Sequence, residues 1–394
     1  MTGTWQTLPL SECIQRVATP RKIPKKRFLE AGAFPVVSQE RDLVNGYWSD
    51  ESAVVAVESP LVVFGDHTQV LKYVDFDFVV GADGVKLLQP KAFLRARFLY
   101  YFLMANPIKS LGYARHFRLL KELPIRFPKA LSVQERIVAI LDEAFAAIEI
   151  AIANTEKNLA NARELFVNGL NGLFAGAGTQ WASVHLGDVC HLENGDRGKN
   201  YPGRKAFVPA GVPFINAGHL VNGSVDMACM NFIPEERFDL LSNGKIQDGD
   251  LLFCLRGSLG KFALVVGLDH GAIASSLIIV RPDKRLDRRF LAAYFETEIC
   301  SEMIRRYAGG AAQPNLSANN LRLFELPLPS IDDQRRIVAN LADLRAQTTH
   351  VQDLYETKSH LLADLKLSIL YKAFTGELTA DPKPTERAIS KAGL

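Results

Sequence analysis

Six short stretches of the sequence combine basic, hydroxyl or amide side chains with turn-forming residues. Lysine and arginine contact phosphates, while arginine, asparagine, glutamine, serine and threonine also hydrogen-bond to the edges of nucleic-acid bases. In the first half of the chain these candidates are Arg21, Lys22, Lys25, Lys26 and Arg27, then Asp66, His67 and Thr68, and then Arg115, His116 and Arg118. In the second half they are Arg197, Lys199, Asn200, Tyr201 and Arg204, then Arg256 and Ser258, and then Gln313 and Asn315. A solvated basic loop is the simpler interpretation of any single lysine, so the prediction concerns the loops as a set.

Motifs for catalysis are missing from the sequence. GSLGKF at 257–262 ends like a P-loop but lacks the first glycine and the final serine or threonine of that motif. The Asp/Asn-Pro-Pro-aromatic tetrapeptide, with which an adenine methyltransferase holds a flipped base, does not occur. Asp248 and Asp250 fit a β-turn better than a metal pair, and Cys190 with His191 lacks a second ligand pair. We interpret the chain as non-catalytic, with no metal and no bound cofactor.

Length and composition limit the class of protein. A chain of 394 residues predicts at least two domains, and a net charge of +3 permits only local basic patches. Five scattered cysteines favour a reducing compartment. The sequence begins without a signal-peptide pattern, and its apolar runs fall short of the ~20 residues that span a bilayer. We therefore expect a cytoplasmic protein with no membrane partner.

The sequence repeats itself at a constant shift of 200 residues. QERIVAIL at 134–141 returns as QRRIVANL at 334–341, and the two repeats end alike, Phe174 and Gly176 returning as Phe374 and Gly376. The phase holds over some forty residues, which indicates a structure that does not tolerate insertion, such as a long helix of roughly 60 Å.

Spacings of three and four residues within each repeat predict two long helices packed along each other. The predicted packing residues are Ile137, Leu141, Ile148 and Leu165 in the first helix, and Ile337, Leu341, Leu344, Val351, Leu362 and Leu365 in the second. Prolines exclude helix just before Ser132 and Asp332, which are the predicted N-caps. Gly176 and Gly376 are the predicted C-caps.

The segments before the helices are predicted to be two related domains. Both begin with a W-x-x-x-x-L pattern and end in E-L-P, but they differ almost completely in between. Their short β-branched runs and amphipathic stretches predict mixed strands and helices. The predicted fold class is α+β: two similar mixed α/β domains separated by two long antiparallel, coiled-coil-like helices, as a pseudo-two-fold internal repeat. The predicted boundaries are domain one at 1–130, the first helix at 131–176, domain two at 177–330, the second helix at 331–376 and a C-terminal tail at 377–394.

An approximate two-fold axis would suit a partner of the same symmetry. Duplex DNA is such a partner, because two-fold DNA-binding proteins engage half-sites about one helical turn, ~34 Å, or a multiple of it apart. A stiff helix pair would fix that separation. The same axis would present two equivalent faces to two copies of a partner subunit.

Five stretches carry a family resemblance. They are FELPLPSIDDQRRIVANL, YAGGAAQPNLSANNLRLFELPLP and DGDLLFCLRGSLGKFALV in the second half, LVVFGDHTQVLKYVDFDFVVGADGVKLL in the first, and the closing AFTGELTA. With them, nearly the whole chain resembles the specificity (S) subunits of type I restriction–modification systems. The first domain departs from the pattern, because GYARHFRLLKELPIRFP lacks the Q-P-N-L-S of 313–317. The corresponding turn there is expected to be built differently.

The resemblance implies a division of labour among subunits. Each variable domain would be a target-recognition domain for one half of a bipartite double-stranded DNA sequence. The helices would set the spacer and dock two modification (methyltransferase) subunits, and restriction/translocase subunits would join for cleavage. S-adenosylmethionine, ATP and Mg would then belong to the partner subunits.

A duplicated, non-catalytic protein–protein adaptor with a helical spacer is the alternative. It shares the architecture but differs in salt dependence, because only a DNA-binding protein loses affinity steeply as counterions compete for phosphates. Asn315 likewise has an alternative role, as the cap of a turn or of the helix that follows it.

Overall fold

The computed structural model describes residues 4–112, 114–175, 181–309 and 315–379. The chain divides into two compact units, one made of 1–156 with 356–394 and the other of 157–355. Each unit therefore contains a part of each of the two long helices. No helix within the described ranges is both long and apolar enough to cross a membrane.

The first unit is a set of small sheets packed on helices. Its strands are β1 (Trp5–Pro9), β2 (Ile14–Gln15), β3 (Ile23–Pro24), β4 (Phe34–Val37), β5 (Tyr47–Trp48), β6 (Val54–Val55), β7 (Leu61–Gly65), β8 (Leu71–Val74), β9 (Phe78–Ala82), β10 (Val85–Pro90) and β11 (Pro124–Pro128). Its helices are α1 (Leu10–Cys13), α2 (Ala96–Ala105), α3 (Phe117–Lys121) and the first part of α4 (Leu131–Ala175). The sheets have the orders β1-β11, β2-β10-β7-β8 and β3-β9-β4-β5, with β6 also paired to β9.

The second unit has the same kind of construction. Its strands are β12 (Ala182–His185), β13 (Cys190–Asn194), β14 (Val212–Ile215), β15 (Leu220–Val221), β16 (Gly223–Val225), β17 (Asn231–Ile233), β18 (Leu251–Cys254), β19 (Phe262–Leu264), β20 (Ala272–Ile273), β21 (Leu277–Pro282) and β22 (Glu325–Leu328). Its helices are α5 (Leu186–Val189), α6 (Glu235–Asp239), α7 (Arg288–Phe295), α8 (Glu298–Tyr307), α9 (Ala318–Arg322) and most of α10 (Ile331–Thr375). The sheets have the orders β12-β22, β13-β21-β18-β19-β16-β15 and β17-β14-β20.

Both units open and close in the same way. The first strand pairs antiparallel with the last, β1 with β11 and β12 with β22. A four-residue helix follows the first strand in each unit, and the next strand joins a sheet of matching order, β2-β10-β7 or β13-β21-β18. The W-x-x-x-x-L and E-L-P signals therefore mark two strands that pair with each other. The fold is α+β with long helices.

Runs of apolar, often β-branched residues form the cores. All five residues of β7 and the four residues Leu277–Val280 of β21 are buried, which suits strands covered on both faces. Aromatic residues of α2 and α7 fill the space against the long helices: Phe98 packs edge-on against Phe374, and Phe290 stacks on Phe174.

Two buried glutamines attach the long helices to the units. Gln134 Nε2 donates to the carbonyl oxygens of Phe93 (2.9 Å) and Pro128 (2.8 Å), and its Oε1 accepts from Arg95 N (2.9 Å). Its side chain is fully buried.

Gln334 makes the corresponding contacts in the second unit. Its Nε2 donates to Arg285 O (2.9 Å) and Pro329 O (3.0 Å), and its Oε1 accepts from Asp287 N (2.7 Å). This residue is also fully buried. The first residue of each repeated phrase is thus a structural tether.

The predicted helix caps need correction at the N-terminal ends. The helices begin at Leu131 and Ile331, one residue before Ser132 and Asp332. At the second start the cap is Ser330, whose Oγ accepts from Asp333 N (3.2 Å). Gly376 follows α10 with φ +91°, in the left-handed region that favours glycine. Gly176 lies outside the described residues.

The predicted packing line holds at the helix ends nearest each core. In the first unit Ile137, Leu141 and Ile148 share a core with Leu370 and Phe374 of α10. In the second unit Ile337 and Leu341 share a core with the end of α4.

In the middle of the helices the residues of the predicted packing line are less buried. Leu344 and Leu362 are half-buried, and Leu165, Val351 and Leu365 are 58%, 37% and 46% exposed. The buried stripe of α4 runs instead from Ala162 to Leu170 and Phe174. Leu165 falls beside that stripe, because an α-helix drifts from a strict 3.5-residue repeat unless it supercoils.

Candidate nucleic-acid interface

On its interior side, the turn after β7 is held by a buried carboxylate and a buried imidazole. Asp66 Oδ1 accepts from Phe117 N (2.7 Å), and Asp66 O accepts from both N (2.9 Å) and Nδ1 (2.9 Å) of His116. His116 Nε2 accepts from Leu111 N (3.0 Å), so a neutral ring carries its proton on Nδ1. Both side chains are buried, with 2% and 0% exposure. Asp66 and His116 therefore have structural partners inside the protein, and their role as DNA contacts stays a prediction.

His67 and Thr68 lie at the surface of the same turn. Thr68 is exposed, and its Oγ1 donates to Gln39 O at 2.6 Å. His67 N donates to Gln39 Oε1 at 3.4 Å, and His67 Nδ1 lies 3.2 Å from Ala114 O. The turn thus joins the segment around Ala114 to the loop after β4. Sequence reasoning missed that loop, because SQERDLVNG contains no cluster of cations.

The basic segment at 21–27 belongs to the same group of loops. Lys25 Nζ lies 2.5 Å from Glu40 Oε1, and Lys22 Nζ donates to Val85 O at 3.1 Å. Partial burial, and then the neighbouring Lys86, lower the pKa of Lys22 below its ordinary value. Arg27 lies over the Trp48 ring at 5.4 Å. The predicted cationic residues of the first unit are exposed; they are Arg21, Lys22, Lys25, Lys26, Arg27, Arg115 and Arg118.

Contacts therefore connect four loops of the first unit into one surface. The connections run from Lys25 to Glu40, from Gln39 to Thr68, and from the 65–69 turn to residues 114–117. We name these four loops (21–27, 38–46, 65–69 and the described residues of 110–118) loop surface 1. It combines exposed cations with hydroxyl, amide and imidazole groups, which suits phosphate contacts and base contacts together.

In the second unit a buried carboxylate orders the glycine-rich loop after β13. Asp196 Oδ1 accepts from Gly198 N (2.6 Å) and Oδ2 accepts from Ser242 N (2.8 Å). These main-chain donors hold the pKa of Asp196 below its ordinary value. Arg197, Lys199 and Arg204 are exposed on the ordered loop.

Two predicted residues of that loop have mainly internal contacts. Asn200 Nδ2 donates to Leu240 O at 3.0 Å, and Tyr201 packs edge-on against Phe214 with its ring centroid 5.8 Å away. Each is half-buried and helps to support the loop, and the DNA contact of both residues stays a prediction.

The turn after β18 lies beside the same loop. Arg197 Nη2 donates to Ser275 O (3.4 Å), and the next residue, Ser276, accepts through its O from Leu255 N (2.9 Å). Arg256 and Ser258 are both exposed, and Arg256 forms an isolated β-bridge with Asn315.

The segments 194–204, 255–258 and 274–276, with Asn315, form loop surface 2. Asn315 is exposed, and it exchanges two 2.9 Å main-chain hydrogen bonds with Gly309. Main-chain pairing therefore holds this segment, whereas the side chains of Asp66 and His116 hold its counterpart in the first unit. Gln313 lies outside the described residues.

The acidic groups near loop surface 2 have structural partners, and the Cys190 thiol is buried. Asp250 is buried and accepts from Arg281 Nε (2.7 Å) and Nη2 (2.9 Å), while Asp248 accepts from Gly267 N (2.7 Å). Burial raises the pKa of the Cys190 thiol to about 12, so this thiol stays protonated. No cluster of three or more metal-binding side chains occurs within the described part of the chain.

Each mixed α/β unit thus carries one set of polar and cationic loops, an arrangement that suits contact with nucleic acid. A family model described as the type I restriction modification DNA specificity domain matches residues 2–161 and again 179–356. The chain belongs to this family.

Relatives and solved structures agree with this membership. The EcoR124I/EcoR124II specificity subunit of Escherichia coli is 23% identical over 372 residues, which cover 88% of each chain. The EcoBI specificity subunit of Escherichia coli is 26% identical over 171 residues, 43% of this chain, and the match spans only 36% of that relative's length. A chain from a structure of the type I R-M system, solved to explain its assembly and conformational transition, has a TM-score of 0.70 at 20% identity and covers 94% of this chain and 97% of its own. At 20% identity, this similarity shows that the two chains share a fold.

Proposed function

We propose that this chain is the DNA sequence-specificity subunit of a type I restriction–modification complex, in which each unit contacts one half of a bipartite duplex target. The observation that carries the proposal is the double match of one DNA specificity domain, once in each half of the chain, with a cationic loop surface in each match. Two different loop surfaces suit a target with two different halves.

The proposed boundaries are recognition domains at 1–130 and 177–330, related by a pseudo-two-fold repeat, with the helices at 131–176 and 331–376 as the spacer. Support comes from helices of 45 residues each, about 67 Å long at 1.5 Å per residue. A helix of that length can fix a separation of one or two DNA turns.

Other subunits would supply the chemistry in this proposal. The helices would dock two methyltransferase subunits and the complex would recruit restriction/translocase subunits, so S-adenosylmethionine, ATP and Mg would bind elsewhere and this chain would be non-catalytic. The structural partners of Asp250 and Asp248 and the burial of Cys190 support this division. A cytoplasmic location follows from a genomic DNA substrate.

The test is genome-wide mapping of adenine methylation in cells that express the partner subunits, with and without this chain. We expect methylation at a single interrupted sequence motif only when the chain is present. Purified complex should also lose affinity for that motif steeply with salt, because bound cations displace counterions. Unchanged methylation, together with salt-independent association, would instead support the protein–protein adaptor.

A further inference from the structure

The loop between β4 and β5, residues 38–46, is the part of loop surface 1 that carries no predicted site residue. Space for it is kept by two glycines that contact Gln39. A Cβ added at Gly65 would lie 2.9 Å from Gln39 Cβ, and one added at Gly84 would lie 2.7 Å from Gln39 Oε1. Both distances are shorter than real Cβ contacts, so a side chain at either glycine would force Gln39 to move.

One side-chain oxygen closes the loop at its base. Asn45 Oδ1 accepts from Ser38 N (2.9 Å), from Ser38 Oγ (2.8 Å) and from Lys72 Nζ (2.9 Å). Lys72 Nζ is also 3.4 Å from Leu43 O. The first and penultimate residues of the loop are thereby tied to each other and to strand β8.

Lys72 is buried, with 4% exposure, although it carries an ammonium group. Burying a charged group costs free energy unless it is well hydrogen-bonded, and an apolar side chain would fill the same space without that cost. What the lysine adds is directed donors that fix the loop. Lys72 therefore determines where the loop tip lies.

The tip presents Arg41, Asp42 and Leu43 to solvent. The loop lies between the basic segment, through Lys25 and Glu40, and the 65–69 turn, through Gln39 and Thr68. Arg41 is thus an exposed guanidinium in the middle of a surface already assigned to DNA. Arginine contacts either a phosphate or the O6 and N7 atoms of guanine.

We propose that the 38–46 loop is a DNA-contacting element of the first unit, with Arg41 as its contact residue and Lys72 as a positioning residue that acts through Asn45. The proposal rests on the proposed function and extends it to a loop outside the predicted set.

Arg41 is tested by equilibrium binding of the assembled methyltransferase complex to a duplex that contains the mapped target. Arg41→Ala should weaken binding roughly tenfold, as expected for the loss of one arginine contact to DNA. Lys129→Ala removes one exposed positive charge from the segment between β11 and α4 and is the matched control, expected to stay within about twofold. Equal affinities of the two variants overturn the proposal for Arg41.

Scrambled duplexes separate the two kinds of contact. If Arg41 contacts a base, the loss of affinity caused by Arg41→Ala should disappear when the half-site of the first unit is scrambled. If it contacts a phosphate, the loss should persist on every duplex and the salt dependence should become shallower. Either result supports the DNA contact.

Lys72 is tested by the pH dependence of binding. Burial lowers the pKa of Lys72 to about 8, against the opposing effects of Asp42 and Glu40 of the loop, the latter paired with Lys25. Strand β7, which pairs with β8, carries only apolar residues and glycine. Wild-type affinity should therefore rise modestly between pH 7 and pH 9, because discharge of the ammonium favours the closed loop, in which the neutral amine still donates to Asn45.

Lys72→Met should bind more weakly at pH 7 and lose this pH dependence, while thermal unfolding shows that the variant is folded. A variant with wild-type affinity and an unchanged pH profile overturns the role of Lys72. Wild-type complex that shows no sequence preference would instead refute the proposed function itself, so the two failures are distinguishable.

Discussion

Two fully buried glutamines perform the same task at equivalent positions of the chain. Each amide satisfies two main-chain carbonyls and one main-chain N–H where a long helix begins. A buried donor or acceptor left without its partner costs ~1–3 kcal/mol. Removal of the amide should therefore lower the free energy of unfolding by more than the net contribution of its three hydrogen bonds.

Gln134→Leu should destabilise the protein by about 2–4 kcal/mol, because three buried or partly buried main-chain groups lose their partner. Denaturant unfolding followed by circular dichroism measures the change. Gln347→Leu, at an exposed position of α10, is the control and should change stability by less than about 0.5 kcal/mol. A Gln134 variant as stable as the control would show that water replaces the amide.

Lys72 should make stability depend on pH. Its pKa is lowered from 10.5 to about 8 in the folded protein, so between those values the unfolded chain retains a proton that the folded chain has released. The free energy of unfolding should therefore rise with pH from about 8 towards 10.5 and be insensitive to Lys72 below that window.

Denaturant unfolding between pH 7 and 10 measures this rise, which Lys72→Met should reduce and Lys129→Met should leave unchanged. An identical slope in both variants would contradict burial of the charged group.

The direction of polar side chains was the least predictable property from sequence. Asp66, His67 and Thr68 follow one another in a polar turn, yet Asp66 points into the protein and Thr68 to the surface. The difference is set by Phe117 and His116, some fifty residues away in sequence, which dock on Asp66. Residue type and spacing predict the turn, but only these distant contacts decide which side chain is buried and which is exposed.

The long helices were predictable, because a spacing of three and four residues repeated over some forty positions is typical of an amphipathic helix and of little else. Short strands such as β2, β3 and β5 contain two residues each and exist only through their pairing partners. No local pattern predicts such strands. The departure of the packing line at Leu165 and Leu365 likewise depends on how the helices approach each other, which local spacing does not specify.

Two glycines one turn apart in α4 make that approach testable. A Cβ added at Gly169 would lie 2.5 Å from Leu344 Cδ2 of α10, whereas one at Gly172 meets nothing within 4 Å. Gly172→Ala should stabilise the protein by about 1 kcal/mol, because alanine favours helix over glycine. Gly169→Ala should gain less or destabilise, since Leu344 must move.

Thermal unfolding of both variants measures the difference between the two glycines. The double variant Gly169→Ala with Leu344→Ala shortens the obstructing side chain. The change in stability caused by Gly169→Ala should therefore be more favourable in the Leu344→Ala background than in the wild-type background. Equal stabilities of the two single variants would show that the helices are not in close contact at Gly169.

At the scale of the whole molecule, two unlike loop surfaces predict independent control of the two target halves. Arg256, on loop surface 2, is exposed and bridged to Asn315. Arg256→Ala should weaken binding to the full target by about 1–3 kcal/mol and relax discrimination in one half-site only.

Binding to duplexes scrambled in either half measures this effect, with the salt dependence recorded for each. An equal loss on all sequences, with a shallower salt slope, would restrict Arg256 to a phosphate contact. Relaxed discrimination in both halves would contradict the division of the target between the units.

The glutamine tethers have a consequence for how such proteins diversify. Every partner of Gln134 and Gln334 is a main-chain atom, so these hydrogen bonds depend on the path of the backbone and not on the identity of neighbouring side chains. A unit of different sequence can therefore keep these hydrogen bonds if its backbone follows the same path and its apolar residues still pack on the helices. A new DNA specificity could then arise by exchange of a whole unit.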